Sequence, residues 1–374
     1  MHVGLNAQLL SLAANYRGAG ISWYIYNLLR QLPTTGPSHR FSAFLNERQY
    51  VDDRMSLHYA SWPTQRPLAR IVWEQMVLPA QLRRQKVDLL HSLAFAGPLM
   101  FRGPMVLTIY DLSFLRFPQA FRPWNRWYLS NFTRWSAHQA RRIIAISEST
   151  RQDVIDLLGV PADKVDVVYC GADSMFRRLP PAQKERYRRE RNLPEQFVLF
   201  LGTLEPRKNL ERLLRAYAEW RQVDSSAPSL VIAGAQGWYY DAVLNLVHAL
   251  GLQDAVLFLG YVPKEDLPLL YNNAQMFVYP SLFEGFGLPV LEAMACGVPV
   301  ITADASSLPE VAGEAAVLVD PTSVEELSMA LGSLWTDPDR RRDLAEKGIR
   351  QSSRFNWRRT AEETLSVYER ALGV

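Results

Sequence analysis

The chain keeps one rhythm nearly throughout: a short apolar run, then a stretch whose apolar residues recur at helical spacing. In the front half the runs fall at 2–7, 41–45, 87–91, 105–109, 143–146 and 165–169. In the back half they read FVLFLG (197–202), SLVIAG (229–234), AVLFLG (255–260), MFVYP (276–280), VPVIT (298–302) and AAVLVD (315–320). Strand–helix units repeated in this way build parallel sheets covered by helices, so the fold class is α/β. The rhythm breaks once, at SMFRRLPPAQKERYRRERNLPEQ (174–196), which is charged, proline-flanked and poor in apolar residues. At 374 residues the chain also exceeds the ~250–300 at which one core usually stops growing. The expected division is therefore a first Rossmann-like domain over 1–173, a linker and opening helix over 174–192, and a second Rossmann-like domain over 193–355. A final amphipathic helix, 356–374, is expected to pack back on the first domain.

Charge divides along the same line. Residues 1–173 hold 19 Lys/Arg against 12 Asp/Glu, 174–192 hold 7 against 2, and 193–374 hold 15 against 24. A basic front and an acidic back point to different partners for the two halves. Cys170 and Cys296 stand far apart without metal-ligand spacing, which argues against a disulfide framework or structural zinc and fits a reducing, cytoplasmic setting. The N-terminus lacks the basic head and apolar core of a signal peptide, and no charge-free apolar run reaches the ~18 residues that span a bilayer.

The stretch SLFEGFGLPVLEAMACGVPVITADASSLPEVAG (281–313) carries two carboxylates, Glu284 and Glu292, inside an otherwise apolar run. Pro289 suits the first position of a helix, which leaves Glu284 on the loop before it and Glu292 in or just past the first turn. Gly285 and Gly287 let backbone approach a ligand closely. The amides around Phe286 and Leu288 sit where a helix N-terminus offers roughly half an elementary positive charge to an anion. A phosphate on those amides, flanked by a diol on each carboxylate, would satisfy the pattern. For Glu292 alone, the helix dipole is a sufficient structural explanation. Ser307 and Glu310 have capping-box spacing, so Ser306 and Ser307 read first as caps and second as pocket lining.

Cations for such an anion come from GTLEPRKNLERLL (202–214), where Arg207 and Lys208 lie between a strand end and a helix. In the front half, NYRGAGISWYIYNLL sets Gly18 and Gly20 after the first strand. Trp23 takes the place of the third glycine of a dinucleotide fingerprint. Strand ends also present Tyr110-Asp111 and His91-Ser92. The one D-x-D, Asp337-Pro338-Asp339, reads better as a helix start than as a metal site, and no nucleophile elbow or triphosphate-binding loop is present.

Taken together these stretches resemble the retaining nucleotide-sugar glycosyltransferases of family 4. The match runs over nearly the whole chain through GAGISWYIYNLL, TIYDLSFLRFPQAF, IAISESTRQDV, GTLEPRKNLERLL, LVIAGAQGWYY, VLFLGYVPKEDLPLLYNNA and the Glu284/Glu292 stretch. The resemblance implies the GT-B fold, two Rossmann-like domains facing across a cleft. It implies mannosyltransferase-like transfer of a hexose, with retention and without metal or cofactor, from a nucleotide diphospho-sugar to a glycan or lipid-linked acceptor. GDP-mannose is the first expectation for the donor, with UDP- and ADP-linked sugars open. By the same resemblance Arg207 and Lys208 neutralise the diphosphate, Glu284 holds the transferred sugar, Glu292 holds the ribose diol, and the Gly18–Gly20 loop closes on the phosphates. Gly202, Val262, Gly285, Phe286, Gly287, Leu288 and Ser306 join the donor site, and Tyr110 and Asp111 join the catalytic group. Relatives commonly have histidine where Tyr110 stands, so Tyr110 is expected to offer its hydroxyl to the donor.

The segment FLRFPQAFRPWNRWYLSNFTRWSAHQARR (114–142) interleaves arginines with aromatic residues. It reads either as a surface for anionic lipid at the inner membrane face or as a helix with its aromatics packed inward. A sugar-nucleotide epimerase or a phosphorylase would share the fold. Nucleic-acid binding, the reading from a different class, is opposed by the acidic back half and the lack of any known module.

Overall fold

A computed structural model describes residues 1–13, 20–235, 237 and 240–373 of the chain. The described residues divide into two compact units, one formed by 1–13, 20–171 and 356–373, the other lying within 172–355.

The first unit is built on seven strands: β1 (His2–Asn6), β2 (Arg40–Leu45), β3 (Ser56–Tyr59), β4 (Leu89–Ser92), β5 (Met105–Ile109), β6 (Arg142–Ala145) and β7 (Val165–Val167). They lie in the order β3-β2-β1-β4-β5-β6-β7, and every pairing is parallel. β1, β4 and β5 are buried along their whole length, which is why their sequences read as unbroken apolar runs. β3 escaped the sequence reading because it is a four-residue edge strand with no fully buried position, so its pattern carries almost no apolar signal.

The second unit holds β8 (Phe197–Leu201), β9 (Ser229–Ala233), β10 (Val256–Gly260), β11 (Met276–Tyr279), β12 (Val300–Ala303) and β13 (Ala316–Val319), again all parallel, in the order β10-β9-β8-β11-β12-β13. Both sheets are doubly wound. In each, strand order reverses at one place: between β1 and β4 in the first, between β8 and β11 in the second. Crevices at the carboxyl ends of strands at such reversals are where open α/β sheets bind ligands.

The last helix, Trp357–Leu372, packs on the helix Ile21–Thr35 of the first unit, as the sequence led one to expect. The segment 174–192 is more than a linker. Its helix Pro181–Glu190 packs against the helix Leu267–Asn273. Asn272 receives the Leu179 amide at 2.9 Å and donates to the Arg177 carbonyl at 2.9 Å, and Asn273 donates to the Lys184 carbonyl at 3.1 Å. Charged as it is, the segment is sewn into the second unit by two asparagines.

Candidate functional site

The reversal between β8 and β11 brings two loops together. After β8, the chain passes Gly202 and forms a 3-10 turn over Pro206–Lys208. After β11, Ser281–Gly287 leads into the helix Leu288–Ala295. The Leu282 amide donates to the Arg207 carbonyl at 2.9 Å, tying the loops at the backbone. Asn209, in the left-handed region at φ 62°, donates to the carbonyls of Pro280 (2.9 Å) and Pro321 (2.6 Å).

Glu284 lies at the centre, only 8% exposed. Its Oε1 receives Lys208 Nζ at 2.6 Å, the Ser281 hydroxyl at 2.6 Å and the Tyr279 hydroxyl at 2.9 Å, while Oε2 lies 3.1 Å from an Arg207 guanidinium nitrogen. Burial pushes the carboxyl pKa up, but the charges of Arg207 and Lys208 and the hydrogen bonds from Lys208 and Ser281 together outweigh it and hold the pKa at about 2. Glu284 is therefore an anion at neutral pH and well below it. Lys208 is buried, donates a second bond to Tyr279 at 2.6 Å and sits over that ring at 5.1 Å. Burial, then the neighbouring Arg207 charge, lowers its pKa. Arg207 also donates to the Phe283 carbonyl (2.6 Å) and to Glu205 (2.7 Å).

The Glu284 backbone is held as firmly as its side chain. Its amide donates to Ser306 Oγ at 2.9 Å, and the Ser307 hydroxyl lies within 2.9 Å of the Glu284 carbonyl and 2.8 Å of the Phe286 carbonyl. The expected capping role of Ser307 is thus corrected. Its side chain makes no cap bond to the helix Leu308–Ala312, because its hydroxyl clamps the neighbouring loop. Ser306 takes φ 50°, unusual for a non-glycine residue, to present its oxygen. Gly287, at φ 110°, is the N-cap of the helix Leu288–Ala295, and an added Cβ would stand 2.8 Å from Leu308 Cδ2. Gly285 is buried, and Phe286 sets its ring edge-on to Phe355.

Glu292 falls in the second turn of that helix, buried, with the Tyr271 hydroxyl donating to it at 3.1 Å. Burial raises its carboxyl to about 7, Lys264 and Tyr271 oppose the rise, and Asp173 adds to it. Burial likewise lowers the Lys264 ammonium to about 7 against the pull of Glu292, Asp173 and Glu265. Val262 is half-buried in the turn after β10, and Gly202 has room for a methyl group. Sequence reasoning missed Tyr271, Tyr279, Ser281 and Lys264. The two tyrosines read as strand and helix core, and only the FVYPS strand end hinted at polar work.

Of the front-half candidates, Gly18 lies outside the described residues. Gly20 is the N-cap of the helix Ile21–Thr35 with φ 51°. Tyr110 has its ring buried edge-on against Tyr24 and Phe95, and its hydroxyl donates to the Leu93 carbonyl at 2.8 Å. A phenol reaches farther than an imidazole, and here that reach carries the hydroxyl into the loop after β4. Asp111 accepts the Ser113 amide at 2.8 Å, at the start of the short helix Ser113–Arg116. His91 is core, with its two ring nitrogens 2.6 Å from the Tyr368 hydroxyl and 2.7 Å from the Thr108 hydroxyl. Among the described residues no group of three or more His, Cys, Asp and Glu side chains could hold a metal ion.

Comparison with known proteins bears on this geometry. The family model described as glycosyl transferases group 1 matches residues 182–351, and that described as glycosyltransferase family 4 matches 18–175. The chain is 35% identical over 266 residues to the O-antigen chain mannosyltransferase B of Escherichia coli, covering 71% of this chain and 70% of that one. It is 32% identical over 242 residues to the serotype-specific mannosyltransferase WbdA of Escherichia coli, 63% of this chain but only 29% of that longer protein. In three dimensions it superimposes on sucrose-phosphate synthase from Thermosynechococcus elongatus with a TM-score of 0.80 at 21% identity, over 100% of this chain and 99% of that one.

Proposed function

Because the chain belongs to the family-4 glycosyltransferases of GT-B fold, we propose that it transfers a hexose, with retention and without metal, from a nucleotide diphospho-sugar to a glycan or lipid-linked acceptor. The observation that carries this is the ionised Glu284, locked against Arg207 and Lys208 at the β8–β11 reversal and followed at once by a helix N-terminus. Arg207 and Lys208 would stabilise the charge that grows on the departing diphosphate, with the amides preceding the helix Leu288–Ala295 assisting. Glu284, held by four groups, positions sugar hydroxyls; in this mechanism the departing phosphate oxygen takes the acceptor's proton. Glu292 accepts from the ribose diol. The mannosyltransferase relatives make GDP-mannose the first donor to try. Incubation with GDP-mannose and UDP- and ADP-hexoses should release nucleoside diphosphate from one of them in an acceptor-dependent way. Arg207→Ala should reduce that release about 100-fold or more, since one such donor is worth roughly 3 kcal/mol. Absence of release and of binding for every donor would refute the reading.

A second reading concerns location. The structure turns the tryptophans of 114–142 outward: Trp124 is 57% and Trp127 53% exposed, stacked at 5.2 Å, within an exposed stretch 122–127 that also holds Arg122 and Arg126. Phe114 and Tyr128 of the same segment are buried, so its aromatics divide between core and surface, and the outward tryptophan face with its arginines suits a surface that rests on anionic lipid. Among the described residues no helix is long and apolar enough to cross a membrane. Co-sedimentation with phosphatidylglycerol-containing vesicles should fall when Trp124 and Trp127 are replaced by serine. Equal binding to purely zwitterionic vesicles would remove the electrostatic part of this reading.

A further inference from the structure

The first unit has a polar site at its own strand reversal, between β1 and β4, where the donor site described above has no residue. Asn6 ends β1, is fully buried and pairs in register with Ser92 at the end of β4. Facing it is a break in a helix. The helix Pro67–Val72 passes through a π-turn, Trp73–Val77, before continuing as the helix Leu78–Gln85. Glu74 lies in that π-turn, 3% exposed, and its Oε1 receives Asn6 Nδ2 at 3.2 Å. The next residue, Gln75, fixes the loop that follows β4 by donating to the Gly97 carbonyl (3.2 Å) and accepting the Leu99 amide (2.8 Å).

The site is under-satisfied. Asn6 Oδ1 has no hydrogen-bond partner among the described residues, and neither do both side-chain amide atoms of Gln8, which is buried two residues further on. Buried polar groups are nearly always paired, and leaving them unpaired is destabilising. Glu74 is a buried acid whose side chain has one long hydrogen bond among the described residues. Burial raises its pKa, with Arg70 and Asn6 opposing, and its charge in turn adds to the burial-raised pKa of Tyr128. Replacing such a buried polar set by apolar side chains of similar volume is often neutral or stabilising. π-turns, too, occur frequently where function requires a side chain to be re-aimed.

We propose that Glu74 and Asn6, with Gln8 two residues along the chain from Asn6, form a subsite for vicinal hydroxyls of a neutral sugar, the glycosyl acceptor of the reaction proposed above, on which this assignment rests. A hydroxyl both donates and accepts. A carboxylate takes its proton in a hydrogen bond, and an amide offers one of each kind, so this trio complements a diol without a net cation. Gln75 is a positioning residue that sets the loop after β4.

The test uses the full chain and saturation-transfer NMR with methyl α-mannopyranoside, methyl α-glucopyranoside and methyl α-galactopyranoside, each measured with and without GDP or UDP. Saturable binding of at least one glycoside is expected. Glu74→Gln, which keeps the shape, and Gln8→Ala, which removes no hydrogen bond among the described residues, should each weaken it tenfold or more. Nucleotide affinity should stay unchanged, and the melting temperature of Gln8→Ala should be unchanged or higher. Wild-type protein that binds nucleotide but no glycoside overturns the subsite, as do variants that bind glycoside as well as wild type. Failure of nucleotide binding in wild-type protein would instead strike the donor reading, and the glycoside titration without nucleotide still decides the subsite.

Discussion

Glu284 and Lys208 show how one pair can be both structural and functional. Each is nearly out of water, each has the other at 2.6 Å, and neither would be tolerated there alone. Glu284→Gln should destabilise the protein by about 3 kcal/mol or more, because Lys208 then loses its closest counter-charge. Lys208→Met on top of that change should restore part of the stability but none of the transfer activity. Denaturant unfolding of the single and double variants, read as a double-mutant cycle, checks the coupling. If the double variant is as unstable as the sum of the singles, the pair is not coupled. The pH dependence has a definite sign. The Glu284 pKa is lower folded, at about 2, than its ordinary value of 4.5, so its contribution is complete above about 4.5 and fades as pH falls toward 2.

At the scale of elements, the loop from Ser281 to Gly287 is where sequence and structure can be compared most closely. Alternating apolar runs located all strands but β3, and the glycines, Pro289 and the two acids located the loop and its helix, because these residue types announce backbone geometry directly. What clamps the loop was not legible. Ser306 and Ser307 read as caps, since a serine before a helix has the same sequence signature whether it bonds forward to the helix or sideways to a neighbour. The partner of Tyr110, the Leu93 carbonyl, was hidden for a similar reason, being distant in sequence. The π-turn holding Glu74 disturbs helical spacing by one residue only, too little to register against an apolar background. The loop itself makes a prediction. Gly287 occupies a backbone region costly for other residues, and a Cβ would crowd Leu308. Gly287→Ala should therefore lower stability by about 1–2 kcal/mol and weaken nucleoside diphosphate binding more than any change at Gly202, where a methyl group fits. Calorimetric titration of Gly287→Ala and Gly202→Ala side by side reads this directly; equal effects would mean the helix N-terminus has no special part in anion binding.

At the scale of the whole chain, the two units are fastened by different chemistry and should answer acid differently. The first unit is closed by the C-terminal helix, which buries Trp357, Ala361, Leu365, Val367 and Tyr368 and ends the hydrogen-bond chain Tyr368–His91–Thr108. Burial lowers the His91 pKa to about 3 from an ordinary 6.5. A folded value below the unfolded one means stability that is complete above about 6.5 and lost as pH falls toward 3. The Glu284 cluster of the second unit holds until about 4.5. Titration from pH 7 downward should therefore loosen β1, β4 and β5 before β8 and β11, as read by hydrogen exchange of their amides. Tyr368→Phe, which leaves a buried His91 nitrogen without its partner at a cost of about 1–3 kcal/mol, should raise the pH at which the first unit opens and leave the second where it was. Exchange that rises in both sheets together would show instead that the units unfold as one cooperative body, and that acid sensitivity is not set by these two groups.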